Sequence, residues 1–422
     1  MPPHPLASLA AARANDAPRG ITSVCSAHPF VIEAALLQAQ ADGDTALIEA
    51  TCNQVNQEGG YTGMTPAAFR DYVHAIADRL GFPRDRIILG GDHLGPNPWK
   101  RLPAEEALQR AETMVAAYVS AGYEKIHLDC SMGCAGEPPC LPDEVTAARA
   151  ARLAAVAEAA ASPFYVIGTE VPVPGGALEV IEHLEVTDPA AAARTIAVHR
   201  SAFADAGLAA AFDRVIALVV QPGVEFGHEN VVIYEPERAG DLSAFLNGHP
   251  LVFEAHSTDY QPPESLARLV QDGFAILKVG PGLTFTMREA LYGLDRIAAE
   301  IDPSWSQHSL SARMEQVMLA DPRHWNSYYP GAPDQQRLLR HYSYSDRIRY
   351  YWPDPKAQAA VDSLLSRLES AAIPETLLSQ YLPRLYPRVL RGELDPAPRS
   401  LVIEAIRDVL RVYAAACRPQ EH

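Results

Sequence analysis

A chain of 422 residues, 48% hydrophobic and 21% charged, has the composition of a soluble globular protein and room for one barrel of about 250 residues with an appendage. Its net charge of −17 comes with no Lys/Arg-rich stripe, which excludes the phosphate-neutralising surface of a nucleic-acid binder. A small anion is not excluded, because a few local cations or a helix N-terminus suffice for one.

In chain order, residues 1–20 (MPPHPLASLAAARANDAPRG) form a leading segment without the basic region and unbroken apolar run of a signal peptide. No later stretch approaches the roughly 18 apolar residues of a membrane span. Six cysteines (Cys25, Cys52, Cys130, Cys134, Cys140, Cys417) are too sparse for a disulfide scaffold. A cytoplasmic protein with mostly free thiols is expected, with no nucleic-acid or membrane partner. Cys130, Cys134 and Cys140 are too few and too unevenly spaced for a zinc site.

Short β-rich apolar runs that end on a polar group then recur eight times. They are ITSVCSAH (21–28), TALIEATC (45–52), RIILGGDH (86–93), KIHLDCSM (125–132), FYVIGTEV (164–171), VIALVVQP (215–222), PLVFEAHS (250–257) and AILKVGP (275–281). Helical patterns lie between them, such as PAAFRDYVHAIADRLG (66–81), opened by Thr65 as N-cap and closed by Gly81. Others follow at 104–122, after Thr187 and after Pro263. Strand and helix alternating eight times predict a (β/α)8 TIM barrel over 21–300. An open doubly wound sheet is the rival, but no GxGxxG follows the first strand. After about residue 290 the β runs stop. Helices at 313–319, 357–368 and 401–416, joined by the loops HWNSYYPGAP and HYSYSDRIRYYWPDP, make 301–422 a helical C-terminal extension packed on the barrel.

Catalytic groups of such barrels project from the C-terminal ends of several strands, where this chain carries His28, Glu49, Asp92, His93, Asp129, Glu170, Glu225, His228 and His256. His93, His228 and His256 with Glu170 suit Zn²⁺, Mn²⁺, Co²⁺ or Ni²⁺, leaving a position for a substrate oxygen. Ser131, Gln221, Ser257, Lys278 and Gly280 join His28, Glu49, Asp129 and Glu225 as candidate substrate-binding residues. KVGPGLT, with Ser257 and Thr258, reads equally as a phosphate-binding turn or a plain tight turn. Arg347 and Arg349 read first as surface ion pairs and second as phosphate clamps.

The stretches SVCSAHPFVIEAAL, LIEATCNQVNQEGGYTGMTP, RIILGGDHLGPNPW, VIGTEVPVPGG, VVQPGVEFGHEN, FEAHSTDYQ, FAILKVGPGLTF and SYSDRIRYYWP resemble the accessory, so-called non-catalytic subunit of bacterial D-tagatose-1,6-bisphosphate aldolase, over nearly the whole length. More distantly the chain is similar to the metal-dependent class II aldolases. That resemblance makes His93, His228, His256 and Glu170 the metal ligands, and Asp92 the acid/base, with Glu170 as ligand or second acid/base. It departs in two places. The acid that class II aldolases keep directly after the paired glycines is absent, Glu179 and Glu182 coming later, and their Asn-rich stretch is replaced by 280–284 (GPGLT).

What the resemblance implies is a divalent-metal-dependent enzyme acting on a ketohexose or its phosphate by retro-aldol chemistry at C3–C4, a ketose 4-epimerase of fructose/tagatose type, as some relatives are. The alternative is an inert subunit that stabilises a class II tagatose-bisphosphate aldolase. A homo-oligomer is allowed by either. A sugar-phosphate kinase is disfavoured, since no GxxxxGK[ST] loop is present.

Overall fold

A computed structural model describes residues 4–168 and 184–418. Its strands are β1 (Ile21–Cys25), β2 (Ala46–Thr51), β3 (Ile87–Leu94), β4 (Lys125–Leu128), β5 (Phe164–Ile167), β6 (Val215–Val220), β7 (Glu225–Phe226), β8 (Val231–Val232), β9 (Val252–Ala255) and β10 (Ile276–Val279). Eight of them close a parallel barrel in the order β1-β10-β9-β6-β5-β4-β3-β2, the expected TIM barrel. The other two, β7 and β8, form an antiparallel hairpin in the loop after β6, which the sequence reading did not foresee.

Local chemistry explains the outer layer. Thr65 Oγ1 accepts from the Ala68 amide at 3.3 Å to start the helix Pro66–Leu80, and Gly81 ends it in the left-handed region at φ 69°. The helix Pro189–Asp205 starts in the same way, with the Asp188 carboxylate accepting from the Ala190 amide at 2.7 Å. Inside the barrel, side chains alternate inward and outward. The lower layer is apolar: Leu47, Ile88, Val166, Ile216, Val252 and Ile276 meet Leu6 and Leu9 of the leading segment. That segment, with its helix Leu9–Ala14, therefore plugs the bottom of the barrel.

The extension does more than flank the barrel. After the helix Pro281–Ile301 come Leu310–Ala320, Pro333–Tyr342, Pro355–Glu369, Glu375–Tyr381, Tyr386–Leu390 and Pro398–Cys417. Several of these follow a proline at the first helical turn, a position that reads as loop in sequence although proline suits it. The last helix packs against β1 and against the helices Pro29–Asp42 and Pro263–Gln271. The Cys417 carbonyl accepts from the Gly20 amide at 2.8 Å, and Tyr413 Oη donates to the Thr258 carbonyl at 2.7 Å. The final helix thus stands in the outer ring beside the first strand. No helix among the described residues is long and apolar enough to cross a membrane, and all six cysteines are free.

Candidate metal centre

The stretch GGDH at the end of β3 poses a geometric problem: neighbouring residues of a strand face opposite sides. The backbone solves it with an irregularity. Pairing with β4 shifts register between Gly91 and Leu94, and His93 sits at φ 50°, a region that costs a non-glycine residue roughly 1–3 kcal/mol. Asp92 and His93 are thereby both turned into one hollow, their nearest atoms (Oδ2 and Nε2) 3.6 Å apart. The glycines clear space around them. A Cβ on Gly90 would stand 2.7 Å from Cγ of Glu49, and one on Gly91 would stand 2.8 Å from the Tyr118 ring.

Three imidazoles converge here, each backed by a carboxylate. His93 Nδ1 is 2.9 Å from Asp129 Oδ2, His127 Nδ1 is 2.9 Å from Asp92 Oδ1, and His256 Nε2 is 3.0 Å from Glu254 Oε1. A ring nitrogen that donates to a carboxylate leaves its other nitrogen bare and basic, the arrangement that orients metal-binding histidines. His127 Nδ1 also lies 3.3 Å from the His93 amide, but the shorter, charge-assisted contact to Asp92 is the stronger and places the proton on Nδ1. His127 Nε2 is then a buried lone pair with no hydrogen-bond partner. Asp92, His93, His127 and His256 each offer a ligand atom, and these atoms lie within 4.8 Å of one another. The donor set fits a divalent ion.

The electrostatics agree. Burial, helped by the nearby Lys278 and His93, holds the His256 imidazole down to about 3 against the opposing hydrogen bond from Glu254, so it is neutral and free to ligate. Burial opposes charge on His93, yet Asp92 and Asp129 outweigh it and raise its pKa. Burial likewise opposes charge on Asp92, but His93, Lys278 and His127 hold its carboxyl well below the usual carboxylate range. The hollow thus favours charge on His93 and disfavours it on His256.

Beneath it lies an ionic layer. Lys125 Nζ is 2.6 Å from Glu49 Oε1 and 2.8 Å from Glu254 Oε2, while Lys278 Nζ is 2.8 Å from Glu49 Oε2 and 2.7 Å from Asp92 Oδ1. Lys125 was missed in the sequence, as was His127. Their signal is the alternation Lys125, His127, Asp129 along β4 and the residue just past it, three polar side chains spaced to face the barrel interior.

The remaining expected residues divide. His28, Ser257, Lys278 and Gly280 line cavities above the cluster. Asp129 holds His93 and also accepts from Ser131 Oγ at 2.8 Å, so these two brace His93 and do not line the cavity over it. Gln221 Oε1 accepts from the Gly223 and Val224 amides at 2.8 and 2.9 Å and braces its own turn. His228 is not brought to the cluster. Its Nδ1 meets Ser345 Oγ at 3.2 Å and its Nε2 the Tyr328 carbonyl at 3.0 Å, so the extension engages both nitrogens, and the third imidazole of the cluster is His127. Glu170, Glu179 and Glu182 lie outside the described residues.

Glu225 accepts from the Phe226 amide and is pushed by burial up to about 7. A carboxyl raised from 4.5 favours folding while protonated, and that contribution is lost as pH rises through the folded value. Glu225→Gln is therefore expected to gain stability relative to the parent by about 2–3 kcal/mol between pH ~5 and pH ~8, read from urea unfolding at both pH values. A pH-independent difference would show that Glu225 titrates normally.

Comparison with known proteins agrees with this architecture. A D-tagatose 6-phosphate 4-epimerase from Agrobacterium fabrum (strain C58 / ATCC 33970) is 56% identical over 424 aligned positions, covering 99% of each chain. The crystal structure of a probable tagatose 6 phosphate kinase from Sinorhizobium meliloti 1021 is 60% identical, with a TM-score of 0.90, covering 94% of this chain and 100% of that one. The family model for the D-tagatose-1,6-bisphosphate aldolase subunit GatZ/KbaZ-like proteins matches residues 6–418. The chain belongs to that GatZ/KbaZ-like family.

Proposed function

We propose that this chain is a divalent-metal-dependent ketose-phosphate 4-epimerase that interconverts D-tagatose 6-phosphate and D-fructose 6-phosphate. The observation that carries this reading is the meeting of three carboxylate-backed imidazoles, His93, His127 and His256, with a carboxylate, Asp92, facing the same hollow. The name of the Agrobacterium relative supports the substrate.

His93, His127 and His256 would hold the ion, and Glu170 is proposed from the resemblance as a further carboxylate. When bound, a divalent ion supplies Lewis acidity toward the C2 carbonyl and C3 hydroxyl of the ketose. Asp92 takes the proton of the C4 hydroxyl as the C3–C4 bond breaks, its electron pair passing toward the C2 carbonyl. The resulting aldehyde turns its other face, the bond re-forms, and Asp92 returns the proton to the C4 oxygen. Lys278, 2.7 Å from Asp92, keeps that carboxylate ionised between turnovers. The cavity walls retain the aldehyde, so that recombination outpaces escape.

A role limited to packing against another subunit gives no reason for this interior. Buried ionic groups are often no more stabilising than aliphatic side chains of similar size, and Lys125, Glu49 and Glu254 are each fully buried. The test is chromatographic: chelator-treated protein is expected to be inactive, and Mn²⁺, Co²⁺, Zn²⁺ or Ni²⁺ to restore conversion of D-tagatose 6-phosphate to D-fructose 6-phosphate. No turnover with any of the four removes the reading.

A further inference from the structure

The amides that barrels commonly use for phosphate, at the end of the last strand, are already engaged. The Gly280 and Gly282 amides both donate to Asp259 Oδ1, at 3.0 and 2.7 Å. A phosphate seated there would meet a carboxylate of the chain itself. The sugar's anionic end must be received elsewhere.

Besides Lys278, which is held by Glu49 and Asp92, a cation of the extension reaches the same hollow. Arg349, in the short helix Arg347–Tyr351 of the extension, lines both a cavity of about 110 Å³ over Asp92, His93 and His256 and a neighbouring one of about 380 Å³ walled by His28, Tyr61 and Trp352. The two cavities share Gly280, Gln54, Tyr61 and Arg349 as walls. Arg349 donates to the carbonyls of Ser345 and Asp346 and to Tyr350 Oη, all neutral acceptors. It forms no ion pair with a carboxylate among the described residues, whereas the chain's buried lysines are paired twice over. Arg347 is turned away, donating to the His324 carbonyl with its guanidinium carbon 3.3 Å from the centre of the Tyr328 ring. His28 accepts the Phe30 amide on Nδ1, which leaves Nε2 as a neutral donor in the wall of the larger cavity.

We propose that Arg349 is the receptor for the phosphoryl group of the sugar, seated in the larger cavity, and so sets the preference for phosphorylated over free ketose. This rests on the epimerase reading for its substrate. A guanidinium in no carboxylate ion pair offers a phosphate its planar fork of donors, and the cavity carries the remainder of the sugar back to Asp92.

The experiment is the ratio of kcat/KM for D-tagatose 6-phosphate to that for D-tagatose, together with calorimetric titration of inorganic phosphate into the full chain. Arg349→Gln is expected to lower the ratio roughly 10- to 100-fold, the weight of a charge-assisted hydrogen bond, and to weaken phosphate binding in parallel, while Arg347→Gln leaves both as they are. An unchanged ratio in Arg349→Gln overturns the proposal. Should that variant not fold, Arg349→Lys decides: it keeps the charge without the fork and is expected to lower the ratio several-fold, and an unchanged ratio overturns the proposal equally. Should no ketose turn over in the parent with any metal, the epimerase reading fails by itself, and the phosphate titration alone judges Arg349: equal affinity in parent and variant refutes it.

Discussion

Asp92→Asn is expected to lower kcat on the order of 10²- to 10⁴-fold while leaving bound metal in place. The asparagine carbonyl can still accept from His127 Nδ1, where Asp92 Oδ1 now sits at 2.9 Å, so the imidazole keeps its tautomer and its bare Nε2. What disappears is the ability to take and return a proton at C4. His127→Ala is the necessary contrast, because it removes a proposed ligand and should lose metal and turnover together. Elemental analysis of both purified variants, beside their rates, separates the two roles. An Asp92→Asn protein that retains more than about a tenth of the parent rate would assign the proton transfer to another group.

Lys125→Met carries the second large effect, on stability. Lys125 is fully buried, with Glu49 at 2.6 Å and Glu254 at 2.8 Å. Removing it leaves two carboxylates in the barrel interior with Lys278 shared among Glu49, Glu254 and Asp92. Breaking a buried ion pair from one side costs about 3–5 kcal/mol, which denaturant unfolding of the metal-free protein measures directly. Adding Glu254→Gln removes one of the stranded charges, so the double variant should lose less than the sum of the two single ones. A loss under about 1 kcal/mol for Lys125→Met would mean that the layer reorganises around the missing lysine.

Much of this was legible in the chain. The eight apolar runs ended on polar residues because the barrel places its polar groups at one rim, and Asp92, His93 and His256 could be read as partners for that reason. His127 escaped notice because it lies inside an apolar run, KIHL, where a histidine passes for a core residue. Its meaning comes from Asp92, 35 positions away in sequence. The left-handed turn at His93 is equally silent in composition. His228 illustrates the converse: its motif points to the metal, but the extension, through Ser345 and the Tyr328 carbonyl, takes both nitrogens. That capture joins residues 100 and 117 positions apart, as Asp259 and Gly280 join two separate loops, and neither leaves a local pattern to read.

The final helix has a consequence for synthesis. Because the Gly20 amide, at the threshold of the first strand, is met by the carbonyl of Cys417, the outer wall beside that strand is completed by residues synthesised long after it. Arg349, too, follows every strand of the barrel in the chain. A nascent chain therefore leaves the outer face of its first strand uncovered until the final helix has emerged, so closure of the outer ring is expected to follow synthesis of all the barrel strands.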